Sequence, residues 1–259
     1  MTDQTQKDQY DGSRGHQLLL TIRDIAVTVA LVLAAKTVAA EPYYVPSASM
    51  EPTLLIGDEL VTTKYPYGYS RYSLPVAMGP ASDHRLLEKL PRRGDVVVFR
   101  LPRDPDQTYV KRVIGLPGDE VRMENGRLFI NGEVVPVRPD GMAEAKDADG
   151  RVRPAARLIE TLPGGVDHPI FKLAANAPLD NTPVYQVPAG HIFVMGDNRD
   201  DSADSRIPPM AGGVGYVPME NLVGRVDAVL GSWDLSLSSQ PVWTWPAGLR
   251  LARFFSRVQ

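Results

Sequence analysis

Two serines lie two positions apart in a segment that prolines keep extended. The segment reads Pro46-Ser-Ala-Ser-Met-Glu-Pro-Thr-Leu54, and its serines are Ser47 and Ser49. Because alternate side chains of an extended chain point the same way, both hydroxyls face one side. One hydroxyl can then act as a nucleophile while the other donates a hydrogen bond to a developing oxyanion. The alternative interpretation is a simple turn, since serine beside proline is common in turns.

A lysine lies in a second segment, Tyr109-Val-Lys-Arg-Val-Ile-Gly-Leu-Pro-Gly-Asp119. Strand alternation places Lys111 on one face with Tyr109 and Val113. The next residue, Arg112, falls on the opposite face. Burial lowers a lysine pKa from ~10.4, and a fall of ~3, equivalent to about 4 kcal/mol, makes the amine a general base near neutral pH. Such a lysine takes a serine proton without any histidine. The alternative is an ammonium that remains solvated at the end of its stem.

A third segment whose residues could take part in chemistry is dense in short polar side chains. It reads Gly196-Asp-Asn-Arg-Asp-Asp-Ser-Ala-Asp-Ser-Arg206. That composition predicts a loop held by its own hydrogen bonds. An acidic loop also admits a calcium site, although the spacing is not that of an EF-hand and two arginines supply internal counter-charges. The candidate calcium ligands are Asp197, Asp200 and Asp204.

Short strands are the elements that must position these three segments. Four apolar runs predict strands: Asp95–Phe99, Tyr109–Leu116, His191–Met195 and Gly224–Trp233. Glu120–Val135 predicts a β-meander, because Asn125-Gly126 and Asn131-Gly132 are tight-turn signals between alternating residues. Arg138–Ala177 is rich in Pro, Gly, Ala and charge without clear periodicity, so we expect an irregular excursion there.

The composition limits the class of protein. The chain has 259 residues, of which 43% are hydrophobic and 23% charged, and it has no cysteine. These values exclude a disordered or collagen-like chain, disulfide frameworks, thiolate zinc sites and cysteine nucleophiles. The 28 Lys+Arg against 31 Asp+Glu give a formal net charge of −3, which argues against a global electrostatic attraction to nucleic acid. The 22 glycines and 23 prolines favour short strands over long helices.

An apolar segment near the N-terminus, Leu18–Ala40, has the length of a membrane-spanning helix, since its 23 residues extend about 34 Å. Three charged residues interrupt it, of which Arg23 and Lys36 lie near opposite ends and can snorkel. A cleaved signal peptide is also possible, with Ile25–Ala35 as its apolar region and Val38-Ala39-Ala40 as its cleavage site, and so is a buried amphipathic helix. The flanking charges indicate no preferred orientation.

The C-terminal segment, Pro246–Gln259, alternates apolar residues with arginines, and Trp243 and Trp245 precede it. The pattern predicts a basic amphipathic helix with an aromatic edge. Such a helix either contacts an anionic bilayer surface or packs as a terminal helix on the β core.

The order of these features is more specific than any one of them. An apolar segment, then S-x-S-M-x-P-T-L, then Y-V-K-R-V-I-G-L-P-G-D, then G-D-N-R-D-x-S-x-D-S-R resembles bacterial type I signal peptidase, also called leader peptidase. The resemblance implies a mostly β fold, with a signal-peptidase-like catalytic domain, a smaller inserted β lobe and one N-terminal transmembrane helix. It also implies a membrane-anchored serine endopeptidase that removes signal peptides from secreted preproteins on the outer side of the cytoplasmic membrane.

The resemblance also implies roles for the matching residues. Ser49 would be the nucleophile, Lys111 its general base, and Ser47 an oxyanion-hole donor beside the backbone N–H of Ser49. Ser202 would hydrogen-bond and orient Lys111. Two residues would brace the loop behind it: Asp204 and Arg206. No metal or cofactor is implied. The partners would be the lipid bilayer and preproteins, bound as extended strands with small residues (Ala-x-Ala) before the cut, and not nucleic acid.

The resemblance divides the chain into segments of different function. They are a tail at 1–17, an anchor at 18–40, a discontinuous catalytic β domain at 41–119 and 189–245, an inserted lobe at 120–188 and a basic amphipathic segment at 246–259. Two features depart from the family pattern. The third segment reads Asp200-Asp201-Ser202 where the family commonly has Asp-Asn-Ser, and the anchor is more charged than a typical one.

Three alternative functions remain to be separated. A Ser-His-Asp hydrolase would need a suitable histidine, but His84 and His168 lie in irregular polar stretches and only His191 begins a predicted strand, while His16 precedes the anchor. A self-cleaving repressor protease shares the serine and lysine but needs a DNA-binding head. A non-catalytic, membrane-tethered β-domain that binds peptides has no need of the lysine. Turnover by Ser49→Ala and Lys111→Ala variants separates these alternatives.

Overall fold

The computed structural model describes residues 17–32, 40–73, 85–146, 151–237 and 239–258. Within these ranges the chain is mostly β, as the sequence predicts. Its strands are β1 (Ala40–Tyr44), β2 (Asp58–Thr63), β3 (Val96–Leu101), β4 (Asp104–Gly115), β5 (Glu120–Glu124), β6 (Arg127–Ile130), β7 (Glu133–Val134), β8 (Val137–Lys146), β9 (Val152–Leu162), β10 (Val166–Lys172), β11 (Tyr185–Gln186), β12 (His191–Met195), β13 (Val217–Pro218), β14 (Leu222–Ser232) and β15 (Ser256–Arg257). Residues 17–32 are α-helical. Short 3-10 turns occupy Ala48–Met50, Tyr65–Tyr67, Arg71–Ser73, Pro209–Ala211, Met219–Asn221, Leu235–Leu237, Val242–Gly248 and Leu251–Arg253.

The described strands form three antiparallel sheets. The main sheet has the order β1-β2-β14-β3-β4-β12-β13, and β15 pairs with β14. A three-stranded sheet has the order β10-β9-β8, and a four-stranded sheet has the order β11-β5-β6-β7. The two smaller sheets therefore come from the chain between β4 and β12, and the main sheet comes from the chain on either side.

The strand that carries Lys111 is held by a strand buried on both faces. Along β3, Val97 and Phe99 pack in one apolar cluster while Val96 and Val98 pack in another. β4 pairs with β3 from Arg112 back to Asp104. A strand that is buried on both faces has a nearly continuous run of apolar residues, and the sequence of β3 shows this pattern. The position of β4 is thus fixed by the core.

The meander predicted over Glu120–Val135 is confirmed. Asn125 and Gly126 have φ angles of 51° and 72°, and Asn131 and Gly132 have φ angles of 53° and 81°. Two successive left-handed residues are what a tight type I′ hairpin needs, and Asn-Gly supplies them at low steric cost. The four strands predicted from apolar runs also match β3, β4, β12 and β14.

The expectation of an irregular excursion over Arg138–Ala177 is wrong, because most of this segment forms β8, β9 and β10. The alternation is hidden because β8 is largely exposed and its register shifts between Pro139 and Met142. His168 is placed wrongly by the same expectation. It lies on β10 and is only 1% exposed.

The C-terminal helix is also a wrong prediction, since residues 246–258 contain 3-10 turns and β15. Phe255 has a φ of 56°, which ends any right-handed helix. The last residues instead pair with β14, and Val258 packs against the core cluster of β3 and β14. Arg253 forms an ion pair with Asp58. Backbone pairing and this ion pair therefore override the helical periodicity.

The predicted anchor and tail fall only partly within the described residues. Of the anchor at 18–40, residues 18–32 belong to the described helix and 33–39 lie outside the described ranges. The tail before residue 17 also lies outside them, as does His84. Among the described helices, none has the length and apolar character needed to cross a bilayer.

Candidate active site

The turn that carries Ser49 follows β1 and is held from two directions. Ser49 lies in the buried 3-10 turn Ala48–Met50, and the side chains of Met50 and Leu54 are fully buried in the core. The backbone N–H of Asn198 donates a hydrogen bond to the carbonyl of Ser49, with an N–O distance of 3.2 Å. The core and the third segment together fix the backbone from which the Ser49 hydroxyl projects.

Lys111 is brought to Ser49 by β4. Its Nζ lies 2.7 Å from Ser49 Oγ, although the two residues are 62 positions apart, and it donates to the carbonyl of Val110 at 3.0 Å. Lys111 is 3% exposed, and its Nζ lies 5.4 Å from the centroid of the Tyr109 ring. Burial lowers the pKa of Lys111 to about 8, against the opposing effect of the carboxylates of Asp204 and Asp197. The amine therefore reaches its neutral form near physiological pH.

Ser47 lies beside this pair. Its Oγ is 3.3 Å from Ser49 Oγ, so the two hydroxyls face the same side of the extended segment, as alternation predicts. The structure thus brings the hydroxyls of Ser47 and Ser49 and the amine of Lys111 into one cluster. A nucleophile with a base within hydrogen-bond distance is the arrangement needed for acyl transfer.

Ser202 lies under the Ser49 turn, but this structure does not contain its expected hydrogen bond to Lys111. Ser202 Oγ is buried and makes no hydrogen bond of standard geometry with a described residue. A Cβ on Gly196 would come within 2.3 Å of Ser202 Oγ and 2.4 Å of the Ser49 carbonyl oxygen. Glycine at position 196 therefore allows Ser202 and the Ser49 turn to approach the same point of the loop.

Asp204 and Arg206 form a buried, bidentate ion pair in the third segment. Arg206 Nε lies 2.9 Å from Asp204 Oδ1, and its Nη2 lies 2.8 Å from Oδ2. Asp204 also accepts from the backbone N–H of Gly196 at 3.0 Å, and Arg206 donates to the carbonyl of Arg199 at 2.8 Å. Although burial alone would raise it, the pKa of Asp204 is held below its usual value by Arg206. The pair ties both ends of the loop together.

Arg112 and Asp197 form a second buried ion pair, which was not predicted from the sequence. Arg112 Nε lies 2.8 Å from Asp197 Oδ1 and Nη2 lies 2.7 Å from Oδ2, and neither side chain is more than 1% exposed. Thr53 donates a short hydrogen bond to the same carboxylate. One feature of the sequence does point to such a pair: Arg112 is a charged residue on a strand face that is otherwise predicted to be apolar.

The smaller sheets contribute a third buried pair, which no local sequence pattern indicates. Glu160 of β9 pairs with Arg199, with Nη1 2.7 Å from Oε1 and a second, shorter contact from Nη2. His168 Nε2 lies 3.4 Å from Glu160 and 3.9 Å from Asp197. Burial lowers the pKa of His168 to about 4, so this imidazole is neutral near pH 7. The cluster connects β9 and β10 to the loop that supports Ser49.

For the two histidines and three candidate aspartates that the structure describes, neither the histidine alternative nor the calcium alternative matches the observed contacts. His191 Nδ1 lies 2.9 Å from the carbonyl of Ala189, and His168 is enclosed in the buried cluster. The three aspartates considered as calcium ligands pair with three different basic side chains: Asp197 with Arg112, Asp200 with Lys172 and Asp204 with Arg206. Within the described ranges, acidic and histidine side chains form no group of three or more arranged to hold a metal ion.

A cleft of about 500 Å³ opens in front of the Ser49 hydroxyl. Its lining is mostly apolar and aromatic and comes from β1, the Ser49 turn, β2, β3, β4 and the third segment. The lining residues are Tyr43, Tyr44, Pro46, Ser47, Ala48, Ser49, Ile56, Leu60, Val98, Thr108, Tyr109, Val110, Lys111, Asp201 and Ala203. The reactive pair therefore faces a space large enough for several residues of a peptide.

Comparison with known proteins points to one family. The family model described as "Signal peptidase, peptidase S26" matches residues 18–233. The chain is 42% identical over 211 residues to "Signal peptidase I" of Pseudomonas fluorescens, covering 78% of this chain and 69% of that protein. It is 36% identical over 251 residues to "Signal peptidase I" of Rickettsia typhi, covering 90% of each. The solved structure of a signal peptidase I from Enterococcus faecalis V583 is 29% identical, covers 53% of this chain and 97% of that chain, and has a TM-score of 0.30.

Proposed function

The chain belongs to the peptidase S26 family of signal peptidases, and from that premise we propose that it is a membrane-bound serine endopeptidase that removes signal peptides from secreted preproteins. The class of enzyme, a hydrolase of the signal peptidase I type, follows from the family. The identity of the reacting groups is our proposal. Ser49 is the nucleophile and Lys111 is the general base.

One observation carries this assignment: the buried amine of Lys111 lies 2.7 Å from the Ser49 hydroxyl. In its neutral form the amine accepts the Ser49 proton while Ser49 Oγ attacks the scissile carbonyl carbon. The ammonium then donates this proton to the leaving amine, and an acyl-enzyme remains. Lys111 next deprotonates a water molecule, which hydrolyses the ester and restores the free Ser49 hydroxyl.

The negative charge that develops on the carbonyl oxygen needs preorganised donors. Ser47 is suited to this role, because its Oγ is 3.3 Å from Ser49 Oγ and lines the same cleft. The backbone N–H of Ser49 is the second proposed donor. Two fixed donors stabilise the oxyanion without the reorganisation that water would require.

Two strand edges that border the cleft support binding of the preprotein as an extended strand. Among the described strands, β1 pairs only with β2. β4 pairs with β12 only from Arg112 onward, so its preceding residues pair with β3 alone. Tyr43 and Tyr44 of β1 and Thr108 of β4 line the cleft, which allows backbone hydrogen bonds to a peptide. The family and the mostly apolar lining favour small residues, Ala-x-Ala, before the cut.

We also propose that an exposed apolar face beside the cleft contacts the bilayer. Its most exposed side chains are Trp243 (78%), Phe255 (74%), Leu251 (70%) and Val242 (65%). This face adjoins the cleft, since Arg250 donates to the carbonyl of Ile56, a lining residue. All three tryptophans of the chain lie within 233–245, so tryptophan fluorescence reports on this face. Brominated lipids in vesicles should quench it, and unchanged fluorescence with bound vesicles would contradict the contact.

The peptidase assignment is tested with purified full-length protein and a preprotein, with the cut located by mass spectrometry. We expect one cut after a small residue, abolished in Ser49→Ala and Lys111→Ala. Lys111→Arg should also be inactive, because guanidinium does not release its proton near neutral pH. Lys89→Ala, which removes an exposed lysine, is the matched control and should cleave normally. Processing by Lys111→Arg or Lys111→Ala would refute the proposed dyad.

A further inference from the structure

Asp201 is distinctive among the residues that line the cleft. Apart from it and Lys111, every lining residue has an uncharged side chain at neutral pH. The reaction requires Lys111 in its neutral form. When Lys111 is neutral, the charged side chain among these lining residues is therefore that of Asp201, and its charge is negative.

Hydrogen bonds and an ion pair hold the backbone around Asp201. On one side, Asp200 pairs with Lys172 and accepts backbone N–H groups of Leu173 and Ala174. On the other side, Ser202 is buried. The N–H of Asp201 itself donates to the carbonyl of Asn198 at 3.2 Å. Asp201 is half-buried and lines the cleft, and these contacts hold its backbone beside it.

We propose that Asp201 is a specificity-determining residue, which favours preproteins that carry a basic side chain close to the scissile bond and disfavours those with an acidic one. The proposal rests on the peptidase function proposed above. A carboxylate at an apolar, partly water-excluded cleft attracts a cation more strongly than it would in bulk water, and repels an anion.

The charge of Asp201 also acts on the reacting amine. Burial lowers the pKa of Lys111, and against it the carboxylates of Asp204 and Asp197, and to a smaller extent that of Asp201, raise it. Replacing Asp201 by its neutral isostere should therefore lower the pKa of Lys111. The pKa of Lys111 is therefore a second readout, which would not change if the role of Asp201 were purely structural.

The experiment compares full-length wild-type protein with Asp201→Asn on signal-peptide substrates that differ at one position. Lys, Gln and Glu are placed in turn at the residue between the two alanines and at the first two residues after the cut, and kcat/KM is measured for each. For the wild type we expect a Lys to Gln ratio of about fivefold at one or more positions, and a Glu to Gln ratio below one. Asp201→Asn should bring both ratios to about one. High salt should bring both wild-type ratios towards one, because it screens the charge of Asp201.

Asp106→Asn is the matched control, since it removes an exposed carboxylate of β4 that does not line the cleft and leaves the contacts around Asp201 in place. It should keep the wild-type preference for Lys over Glu. Asp201→Asn should also move the acid limb of kcat/KM to lower pH. Equal ratios for the wild type and Asp201→Asn at every position would overturn the inference while leaving the peptidase function intact. Failure of the wild type to cleave any of the peptides or a preprotein would overturn both.

Discussion

Arg112, the residue after Lys111, forms a fully buried, bidentate ion pair with Asp197. Because adjacent strand residues point to opposite faces, β4 directs Lys111 towards Ser49 and Arg112 towards the third segment. Arg112 also donates to the carbonyl of Gly94 at 2.7 Å. The strand that carries the proposed base is thereby clamped to the loop whose Asn198 N–H holds the Ser49 carbonyl.

Asp197→Asn should destabilise the protein strongly. It leaves the buried guanidinium of Arg112 without its counter-charge, and breaking one partner of a buried pair typically costs ~3–5 kcal/mol. The free energy of unfolding, obtained from urea titration with a bilayer-mimetic detergent held constant, measures the loss. Asp167→Asn removes an exposed carboxylate from β10 and is the control. A loss below about 1 kcal/mol would show that the pair does not hold the strand.

Lys111→Met should abolish cleavage and raise stability. The folded-state pKa of about 8 lies below the ordinary value of 10.5, so proton binding favours the unfolded state. The resulting cost is fully present below pH 8 and disappears as the pH rises through 10.5. Methionine has similar length and no charge, so the gain at pH 7 should reach at most about 3 kcal/mol.

Unfolding titrations of the wild type and Lys111→Met at pH 7 and pH 10 check this prediction. The difference in unfolding free energy should be larger at pH 7. Lys89→Met changes an exposed lysine and should show neither the gain nor its pH dependence. An equal difference at both pH values would mean that Lys111 is not destabilised as an ammonium.

The pH dependence of kcat/KM should report the titration of Lys111. Only the neutral amine accepts the Ser49 proton, so activity rises with pH and reaches half of its maximum near pH 8. Below that point kcat/KM should fall by about tenfold per pH unit. Peptide hydrolysis between pH 6 and pH 10 measures the profile. A half-maximum near 10.5, the ordinary lysine value, would indicate a solvated amine.

The arrangement of the site was predictable where a local pattern fixed it. Alternation along Tyr109–Leu116 placed Lys111 and Arg112 on opposite faces, and the same rule placed Ser47 and Ser49 on one side. The Asn-Gly dipeptides predicted the meander turns, because the φ angles of a tight hairpin depend on the turn residues themselves. In each case the sequence neighbours alone determine the geometry.

Contacts between distant segments were not predictable from one sequence. Glu160 and Arg199 are 39 positions apart, and nothing local indicates that they meet. His168 lies in a stretch that was predicted to be irregular and polar, and its burial depends on β9 and the third segment, so the sequence alone does not indicate it. The C-terminal arginines follow a helical periodicity, but Arg253 pairs with Asp58, 195 positions away, and the chain beyond it pairs with β14. In all three cases contacts with residues distant in the sequence determine the structure.

Ser47→Ala should retain weak cleavage. The Ser47 hydroxyl is one of two proposed oxyanion donors, and removal of one such donor typically lowers kcat by ~10²–10³. KM should change little, because the interaction strengthens in the transition state. Steady-state hydrolysis of a signal-peptide substrate measures both constants, and Ser47→Thr, which keeps a hydroxyl, should recover part of the rate. An unchanged kcat in Ser47→Ala would remove Ser47 from the oxyanion hole.

Glu41→Gln should weaken substrate binding more than it slows chemistry. Glu41 Oε2 lies 2.9 Å from the Nζ of Lys64, whose side chain is 1% exposed, and accepts from the Tyr43 hydroxyl at 3.0 Å. Lys64 also donates to the carbonyl of Ser73. Loss of the Glu41 charge leaves a buried ammonium with neutral partners, at a cost of ~1–3 kcal/mol in stability.

The same substitution weakens the hydrogen bond that holds the Tyr43 side chain, because a neutral amide oxygen replaces the carboxylate, and Tyr43 lines the cleft on the β1 edge where we expect the peptide to pair. The dyad is untouched, so kcat should stay near the wild-type value while KM rises several-fold. Glu59→Gln, which removes an exposed carboxylate from the neighbouring strand β2, should leave both constants unchanged. A fall in kcat with constant KM would mean that the Glu41–Lys64 pair acts on the Ser49 turn instead, because only then would its loss disturb the reacting hydroxyl.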